Sequence, residues 1–506
     1  MNIYQAIEDI ITYAEIHLYA DYLDHEYFRN AVFNLLNLHV DGEYSHSDED
    51  AIASLDVPDS VANPIVDYAI EQGVVEDIDR ELFKTALMGI FTPRPSEITA
   101  TFDCLPTEEA TRYLYDMGIK SDYIKLTSIK KNKYWVYPTS KCDLEITINL
   151  SKPEKDNREI ARLRTAPQSG YPKCMLCKEN INYQGRVGFP ARQTLRYVPI
   201  TLNGENFYMQ YSPYLYFDEH CIIFSEEHSP MTMNRATFER LVDFTRIFPS
   251  YIAGSNACIP IVGGSILSHE HYQGGGHLMP VHYTQAECEY SHPLYSDVKV
   301  YKQDWFNTDI RLVSDDPAKL VDLAEYIFNA WQGYSDESVG VIAKTSDIHN
   351  AITPIARRIG DSYTLDLLLR NNRTDERYPD GIFHAHPEYH NIKKEGIGLI
   401  EAMGLFILPG RLDKELALVK QYLKGERVDV DYTLEDNVLY KHKDMVDELL
   451  SRYPLPLSEE EADKVVKDYV GEVCKNILDN TAVFKGDEAG KIAFDKFMSS
   501  MGFSKV

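Results

Sequence analysis

Apolar residues recur at helical spacing through the first 140 residues. The first such stripe lies on one face of a helix and comprises Ile3, Ile7, Ile10, Ile11, Ala14 and Leu18. Residues 41–50 are polar and acidic, which is typical of an exposed loop. This region holds no recognisable catalytic constellation. We therefore expect residues 1–140 to form a helical N-terminal extension with a structural or oligomerisation role.

After this extension the hydrophobic period changes from a helical one to two. Alternation in the stretch 144–150 predicts a strand. Further strands are predicted at Leu195–Ile200, Phe207–Tyr211, Cys221–Ser225, Val339–Ala343, Leu365–Leu369 and Ile382–His386. A helical pattern over Arg235–Phe248 interrupts them. Strands with an intervening helix predict the α+β class.

The last 80 residues return to helical spacing. Ser458 and Glu461 have the separation of a helix-capping box, and an apolar stripe follows them. The pattern as a whole predicts four regions, with bounds at 1–140, 141–300, 301–425 and 426–506. The two central regions are the β-rich ones.

The net charge of the chain argues against some classes of binding partner. The chain has 506 residues with 51 Lys and Arg against 79 Asp and Glu, a net charge of −28. Such a charge repels nucleic acid and anionic membranes. There is no apolar run of about 18 residues, no Lys or Arg before Arg29 and no apolar h-region, so we expect neither a membrane span nor a secretory signal. We expect a cytoplasmic protein with reduced cysteines that binds any anionic substrate through local donors.

One pair of cysteines has the spacing of a zinc knuckle. Cys174 and Cys177 form a C-x2-C pair, which allows two thiolates to bind one tetrahedral ion. A closed site needs two more ligands, and His228 and His269 are suitable donors. The alternatives are two ordinary cysteines or, with less support, a redox pair.

The stretch 263–277 is rich in glycine and histidine. An apolar run over Ala257–Val262 precedes it and predicts a buried strand. His269 and His271 are two residues apart, so on a strand they share a face. They are either structural histidines, or metallohydrolase ligands together with His277, or residues with separate roles.

In the last interpretation His269 binds a metal and His271 is a nucleophile toward phosphorus. A neutral imidazole can form a covalent intermediate when an acceptor holds its other nitrogen. Gln273 is suited to donate a hydrogen bond to a phosphoryl oxygen. Ser265, Ser268 and the N–H groups of nearby glycines such as Gly264 are suited to the same task.

These residues resemble a known family. The run His269-Glu270-His271-Tyr272-Gln273 is similar to the His-Pro-His-Gly-Gln element of galactose-1-phosphate uridylyltransferases, members of the histidine triad superfamily. The order and spacing of further motifs fit over residues 145–412. These motifs are Cys174–Cys177, Phe224–His228, Gly263–Ser265, Phe383–Pro387 and Gly398–Leu405. The stretches Ser151–Lys155 and Leu408–Leu412, with the helical extension, resemble the class II branch.

The resemblance implies two histidine-triad-like antiparallel-sheet halves, flanked by helical N-terminal and C-terminal regions. It implies a double displacement in which UDP-glucose gives its UMP to His271, and galactose 1-phosphate then takes it. Gln273 would hold the transferred group, and Glu401 would contact the sugar. The resemblance also implies a homodimer and a structural zinc ion. The implied zinc ligands are Cys174, Cys177, His228 and His269.

The chain also departs from the family pattern. Glu270 and Tyr272 replace the motif's proline and glycine. Ile266 replaces a serine, whose hydroxyl is then expected at Ser265 or Ser268. Position alone suggests Arg192 and Arg196 as uridine or phosphate contacts.

Two questions stay open at this level. His384 and His386 match two ligands of a second metal site that some relatives have. The other ligands of that site are not identified in the sequence, so the presence of a second metal stays open. Two other activities also remain as alternatives. One is a nucleotide phosphorylase or hydrolase of the same superfamily, and the other is a metal-dependent hydrolase using His269, His271 and His277.

Overall fold

The structure is a computed structural model that describes residues 2–151, 162 and 169–506. It contains two compact units. Unit 1 comprises Met1–Lys131, Ser151–Pro230 and Ser268–Gly275, and unit 2 comprises Asn132–Leu150, Met231–Leu267 and Gly276–Val506. Residues 152–155 of the class II stretch lie outside the described residues. The four sequence regions predicted above remain a prediction.

The N-terminal part of unit 1 is helical, as predicted. Its α-helices are Ile3–His17, His25–Leu36, Glu49–Ala53, Asp59–Glu71, Arg80–Phe91, Pro95–Cys104, Thr107–Lys120 and Leu126–Ile129. Short 3-10 helices lie at Tyr22–Asp24, Asp77–Asp79 and Lys178–Asn180.

The first helix shows why this region folds as the pattern predicts. Its Asn2 cap accepts a hydrogen bond from the backbone N–H of Tyr4 at 3.0 Å, which satisfies an otherwise free donor. Ile7, Ile10 and Ile11 are fully buried on one face. Each such side chain contributes about 1.5–3 kcal/mol when removed from water.

The rest of unit 1 contains an antiparallel sheet of four strands. In spatial order these are His271–Gly275, Cys221–Ser225, Glu205–Tyr211 and Val198–Leu202. Two of the strands match their predictions closely. The strand predicted at Leu195 begins three residues later, because the N–H of Leu195 closes a turn onto the carbonyl of Arg192.

Unit 2 contains a larger antiparallel sheet and a smaller sheet. The larger sheet has the spatial order Ser504–Lys505, Ala286–Ser291, Lys299–Gln303, Asp309–Ser314, Ser362–Asn371, Asn350–Ile359 and Ile252–Gly254. The smaller sheet comprises Lys133–Tyr137, Leu144–Asn149 and Leu405–Pro409, and the last two strands are parallel. Helices together with predominantly antiparallel sheets confirm the α+β class.

The helices of unit 2 confirm the predicted return to helical structure near the C-terminus. Its α-helices are Arg235–Ile247, Pro317–Gly333, Leu399–Ala402, Arg411–Leu423, Lys443–Arg452, Glu459–Thr481 and Glu488–Ser500. Short 3-10 helices lie at Pro280–Tyr283, Glu337–Val339, Pro387–Tyr389 and Tyr440–His442. The predicted capping box is present, since Ser458 Oγ accepts from the N–H of Glu461 at 3.3 Å. Among the residues described, no helix combines the length and hydropathy required to cross a membrane.

Three predicted strands are wrong. Residues 257–262 form turns, because Pro260 lacks an N–H and Ile261 takes a left-handed φ of 72°. In the stretch 339–343, Val339 ends a 3-10 helix and the chain reverses at Gly340, which has φ 74°. Residues 382–386, which hold the second His-x-His, form turns and irregular backbone. Short apolar runs do not distinguish a strand from a buried turn.

Candidate active site and metal centre

The centre of the candidate site is the histidine strand, His271–Gly275. It pairs with the strand Cys221–Ser225, with His271 opposite Phe224 and Gln273 opposite Ile222. His271 and Gln273 therefore share one face of the sheet. His269 lies before the strand, so the expected presentation of both imidazoles from one strand is wrong.

Two backbone hydrogen bonds hold Glu270, the residue just before the histidine strand, against the end of the neighbouring strand and the loop that follows it. The N–H of Ser225 donates to the carbonyl of Glu270 at 3.0 Å, and the N–H of Glu270 donates to the carbonyl of Ser229 at 2.7 Å. This closure brings His228 beside His269, with ring centroids 4.9 Å apart. Residues that are 41 positions apart thus meet through backbone geometry.

The two cysteines complete a four-donor cluster with these histidines. The donor atoms of Cys174, Cys177, His228 and His269 all lie within 4.8 Å of one another. The two Sγ atoms are 3.5 Å apart, Cys174 Sγ is 3.2 Å from His269 Nδ1, and Cys177 Sγ is 3.1 Å from His228 Nδ1. Donors at about 2.0–2.3 Å from one zinc ion are separated by about 3.3–3.8 Å. The cluster could therefore bind a metal such as zinc.

The hydrogen bonding of the His269 ring also suits a cation. The carbonyl of Ser225 accepts from Nε2–H of His269 at 2.9 Å, so the lone pair of Nδ1 faces the sulfur atoms. Burial and the adjacent Cys174 sulfur raise the pKa of Cys177 above its ordinary value. A cation would displace the thiol proton and use this sulfur as a ligand.

The backbone of His269 holds the second histidine. Its carbonyl accepts a hydrogen bond from Nδ1–H of His271 at 2.8 Å. Burial lowers the pKa of His271 below its ordinary value, and the ring is only 7% exposed. In the neutral ring the proton is therefore on Nδ1, and Nε2 carries a free lone pair. This is the tautomer that a nucleophile requires.

Gln273 lies on the same face and is half-buried. Its Oε1 lies 3.0 Å from Nε2 of His220, a residue that the motifs did not identify. His220 immediately precedes the strand Cys221–Ser225. No spacing rule marks it in the sequence, and only the register of the two strands reveals its proximity to Gln273.

Glu270 and Tyr272, the two residues that depart from the family motif, contact each other. The hydroxyl of Tyr272 donates to Oε1 of Glu270 at 2.8 Å, and both side chains are buried. The Tyr272 ring also stacks with Phe207 at a centroid distance of 5.9 Å. The opposite face of the strand therefore carries a packed polar pair that secures the strand itself.

The remaining predicted contacts in unit 1 differ in their surroundings. Ser268 is exposed immediately before the cluster. The guanidinium of Arg192 lies 5.8 Å from the Tyr123 ring centroid. Arg196 is buried and donates to the backbone carbonyls of Thr92, Pro93, Gln193 and Leu195. These contacts are structural and include none with the histidine strand.

Three predicted substrate contacts belong to unit 2. A Cβ at Gly264 would lie 2.8 Å from Nδ2 of Asn256, so glycine permits close packing there. Ser265 is exposed. Glu401 is largely buried and accepts a hydrogen bond from Nζ of Lys393 at 2.9 Å.

Three other histidines that the sequence analysis named contact groups outside the metal cluster. In unit 2, Nε2 of His277 lies 3.0 Å from both carboxylate oxygens of Glu145. His384 accepts from the N–H of Ile397 at 3.0 Å, and burial lowers its pKa to about 4. His386 lies 3.0 Å from the carbonyl of Ile382. Within the described part of the chain, the only group of metal-binding side chains is the one containing Cys174 and Cys177.

Two models of one protein family match most of the chain. Residues 20–230 match the model of the galactose-1-phosphate uridyl transferase N-terminal domain, and residues 226–436 match that of the C-terminal domain. Among solved structures, the crystal structure of yeast Ap4A phosphorylase Apa2 is similar over 59% of this chain and 88% of that chain. Its TM-score of 0.32 and 10% identity are too low to support an argument.

Three bacterial relatives share the name galactose-1-phosphate uridylyltransferase. The protein of Caldanaerobacter subterraneus subsp. tengcongensis is 47% identical over 94% of both chains. The Clostridium acetobutylicum protein is 47% identical over 88% of this chain and 90% of its own, and the Bacillus subtilis protein is 42% identical over 100% and 99%. The chain belongs to the galactose-1-phosphate uridylyltransferase family.

Proposed function

We propose that the protein is a UDP-glucose–hexose-1-phosphate uridylyltransferase that acts through a uridylyl-histidine at His271. It converts UDP-glucose and galactose 1-phosphate into glucose 1-phosphate and UDP-galactose. The observation that carries the proposal is the hydrogen bond from Nδ1–H of His271 to the carbonyl of His269. This bond leaves Nε2 as the nucleophilic atom.

The reaction consists of two displacements. Nε2 of His271 attacks the α-phosphorus of UDP-glucose, a P–N bond forms, and the P–O bond to glucose 1-phosphate breaks. A phosphate oxygen of galactose 1-phosphate then attacks the same phosphorus and the P–N bond breaks. No proton is consumed overall. The carbonyl of His269 stabilises the positive charge that the ring carries while it is uridylylated.

Gln273 is the second residue of the proposed mechanism. It lies two positions after His271 on the same face, so its amide reaches the same reacting group. A neutral amide donor stabilises charge on a phosphoryl oxygen without pairing so strongly that the intermediate is trapped. Ser265, Ser268, Arg192 and the backbone at Gly264 are further proposed donors to substrate, and the carboxylate of Glu401 is a proposed acceptor for the sugar. The structural contacts of Arg196 favour a supporting role for that residue.

We assign zinc to the cluster formed by Cys174, Cys177, His228 and His269. Zinc would supply a rigid tetrahedral centre, and no chemical step involves it. Because His269 contributes Nδ1 to the cluster and its carbonyl to His271, the cluster positions the nucleophile. The homodimer remains a prediction, and light scattering of the purified enzyme tests it.

Incubation with UDP-glucose alone tests the proposed function. We expect a burst of glucose 1-phosphate equal to the enzyme concentration, and an acid-labile uridylyl group on a peptide containing His271. The variant His271→Gly should lose the burst but form UDP-galactose from uridylyl-imidazole and galactose 1-phosphate. Continuous hydrolysis of UDP-glucose, or transfer of the uridylyl group to inorganic phosphate in preference to galactose 1-phosphate, would instead indicate a hydrolase or phosphorylase.

A metal-dependent hydrolase is the less well supported alternative. It requires His269, His271 and His277 to bind one ion. Nδ1 of His269 faces two sulfur atoms, Nδ1 of His271 donates to a carbonyl, and His277 contacts Glu145. Each ring therefore already has a different partner.

A further inference from the structure

His220 has no role in the mechanism described above, yet it contacts one of its two central residues. Its side chain is 1% exposed, and its Nε2 lies 3.0 Å from Oε1 of Gln273. In the paired strands Gln273 is opposite Ile222, so His220 lies diagonally beside it on the same face. The contact therefore follows from the register of the sheet, since His220 directly precedes the paired strand Cys221–Ser225.

The surroundings of His220 determine which nitrogen carries its proton. Burial lowers its pKa to about 4, although the contact with Gln273 acts to raise it, so the ring is neutral near pH 7. Nδ1 is buried and has no hydrogen-bond partner among the described residues. The Gln273 atom that faces Nε2 is Oε1, an amide oxygen that only accepts hydrogen bonds. The proton is therefore on Nε2, which donates it to Gln273.

This hydrogen bond determines the orientation of the Gln273 amide. With Oε1 engaged by Nε2–H of His220, the amide nitrogen and its two hydrogens point away from His220. The reversed amide would place N–H groups against the N–H of His220, which is repulsive. Gln273 is thus held as a hydrogen-bond donor on the face that carries His271.

The backbone around His220 is itself closely packed. Gly275, at the end of the histidine strand, has φ 153°. A Cβ there would lie 2.7 Å from Cε2 of Phe217 and 2.8 Å from the carbonyl oxygen of Glu219. Glycine at this position therefore allows the loop before His220 to approach the strand. The Phe217 ring packs on the imidazole at a centroid distance of 4.6 Å.

We propose that His220 is a positioning residue that holds the Gln273 amide with its N–H groups toward the transferred phosphoryl group. This assignment rests on the proposed function, because it acts on the same uridylyl transfer. His220 does not contact the substrate. It excludes the amide orientation that would direct a carbonyl lone pair at an anionic phosphoryl oxygen.

The test measures the single-turnover rate of uridylyl-enzyme formation from UDP-glucose. His220→Phe keeps a ring but removes the N–H, and we expect the rate to fall about 10- to 100-fold. His220→Gln places an amide N–H near the position of Nε2, and we expect a rate within about threefold of wild type. In a Gln273→Ala background, His220→Phe should have no further effect.

Phe217→Leu is the matched control. It loosens the packing of the imidazole and retains the N–H, so we expect a lower melting temperature but a rate within about threefold of wild type. An equal loss for His220→Phe in the presence and absence of Gln273 would overturn the assignment. A slow His220→Gln or an unimpaired His220→Phe would also overturn it.

Gln273→Glu provides a second test that does not depend on the folding of His220 variants. The carboxylate still accepts from Nε2–H of His220 but has no N–H for the phosphoryl group. We expect at least the loss seen for Gln273→Ala, whereas retained activity would show that the side chain acts through its oxygen. A wild-type enzyme that forms no uridylyl adduct would instead refute the proposed function, so the two failures are distinguishable.

Discussion

Replacement of Cys177 by alanine is the most direct perturbation of the metal centre. Its Sγ lies 3.5 Å from Cys174 Sγ, 3.1 Å from His228 Nδ1 and 3.7 Å from His269 Nδ1. It is thus within contact distance of all three other donors. Cys174 Sγ has such contacts with Cys177 and His269. We therefore expect Cys177→Ala to lose the metal more completely than Cys174→Ala.

The magnitude follows from linkage between binding and folding. A ligand that binds only the folded protein stabilises it by about 4 kcal/mol when its free concentration is a thousandfold above Kd. Cys177→Ala should lose most of this stabilisation. The rate of uridylylation should fall about 10- to 100-fold as well, because the His269 carbonyl that orients His271 is no longer anchored.

Three measurements check this prediction. Zinc content should fall from one equivalent toward zero, and the melting temperature should become insensitive to EDTA. The burst of glucose 1-phosphate should become slower. Cys104→Ala removes an exposed cysteine far from the motif in the sequence, and we expect it to match wild type in all three. A metal-free Cys177→Ala with the full wild-type rate would refute the coupling between cluster and nucleophile.

Three further predictions concern stability. Tyr272→Phe removes the hydrogen bond to buried Glu270 and should lower the free energy of unfolding by about 1–3 kcal/mol in urea titrations, and an unchanged value would contradict its structural role. Burial acts to raise the pKa of Glu415, but hydrogen bonds from His442, Lys441 and Arg411 outweigh it and lower the pKa to about 2. Because the pKa of Glu415 is lower in the folded protein than in the unfolded one, its ionised carboxylate stabilises the fold by about 3 kcal/mol. This stabilisation is present above pH ~4.5 and is lost as the pH falls toward ~2. Glu415→Gln should therefore flatten that part of the profile of unfolding free energy against pH. Leu365→Ala, in the middle of a buried strand, should cost about 2–5 kcal/mol in the same urea assay, and a loss below about 1 kcal/mol would show that the core there refills the cavity.

Several features of this protein follow from local sequence pattern. The stripe that includes Ile7, Ile10 and Ile11 predicts a helix because every third or fourth residue faces the same side. The strand Cys221–Ser225 is predicted to its exact bounds. The C-x2-C spacing identifies half of the metal cluster, because the four residues of one turn already place two sulfur atoms together.

The wrong predictions arise where the backbone conformation is not encoded in the hydrophobic pattern. Residues 257–262 are apolar as a strand would be, yet Val262 is buried in a turn. Burial alone selects apolar residues in either conformation, so the pattern does not separate the two. The strand predicted for the second His-x-His, at His384 and His386, is wrong for the same reason.

The amino-acid sequence by itself determined which residues we propose for the chemistry, since motif order and residue type single out His271, Gln273 and the four cluster residues. Only the tertiary structure decided how their side chains are arranged. Cys174 and His269 are 95 residues apart, and their 3.2 Å separation depends on how distant segments pack. The contact between Gln273 and His220 is made only because two strands pair in one register. The carbonyl that accepts from Nδ1–H of His271 belongs to the residue two positions earlier, so that bond depends on the local backbone conformation. Residue type can be read along the chain, whereas hydrogen-bond direction is a property of the assembled fold.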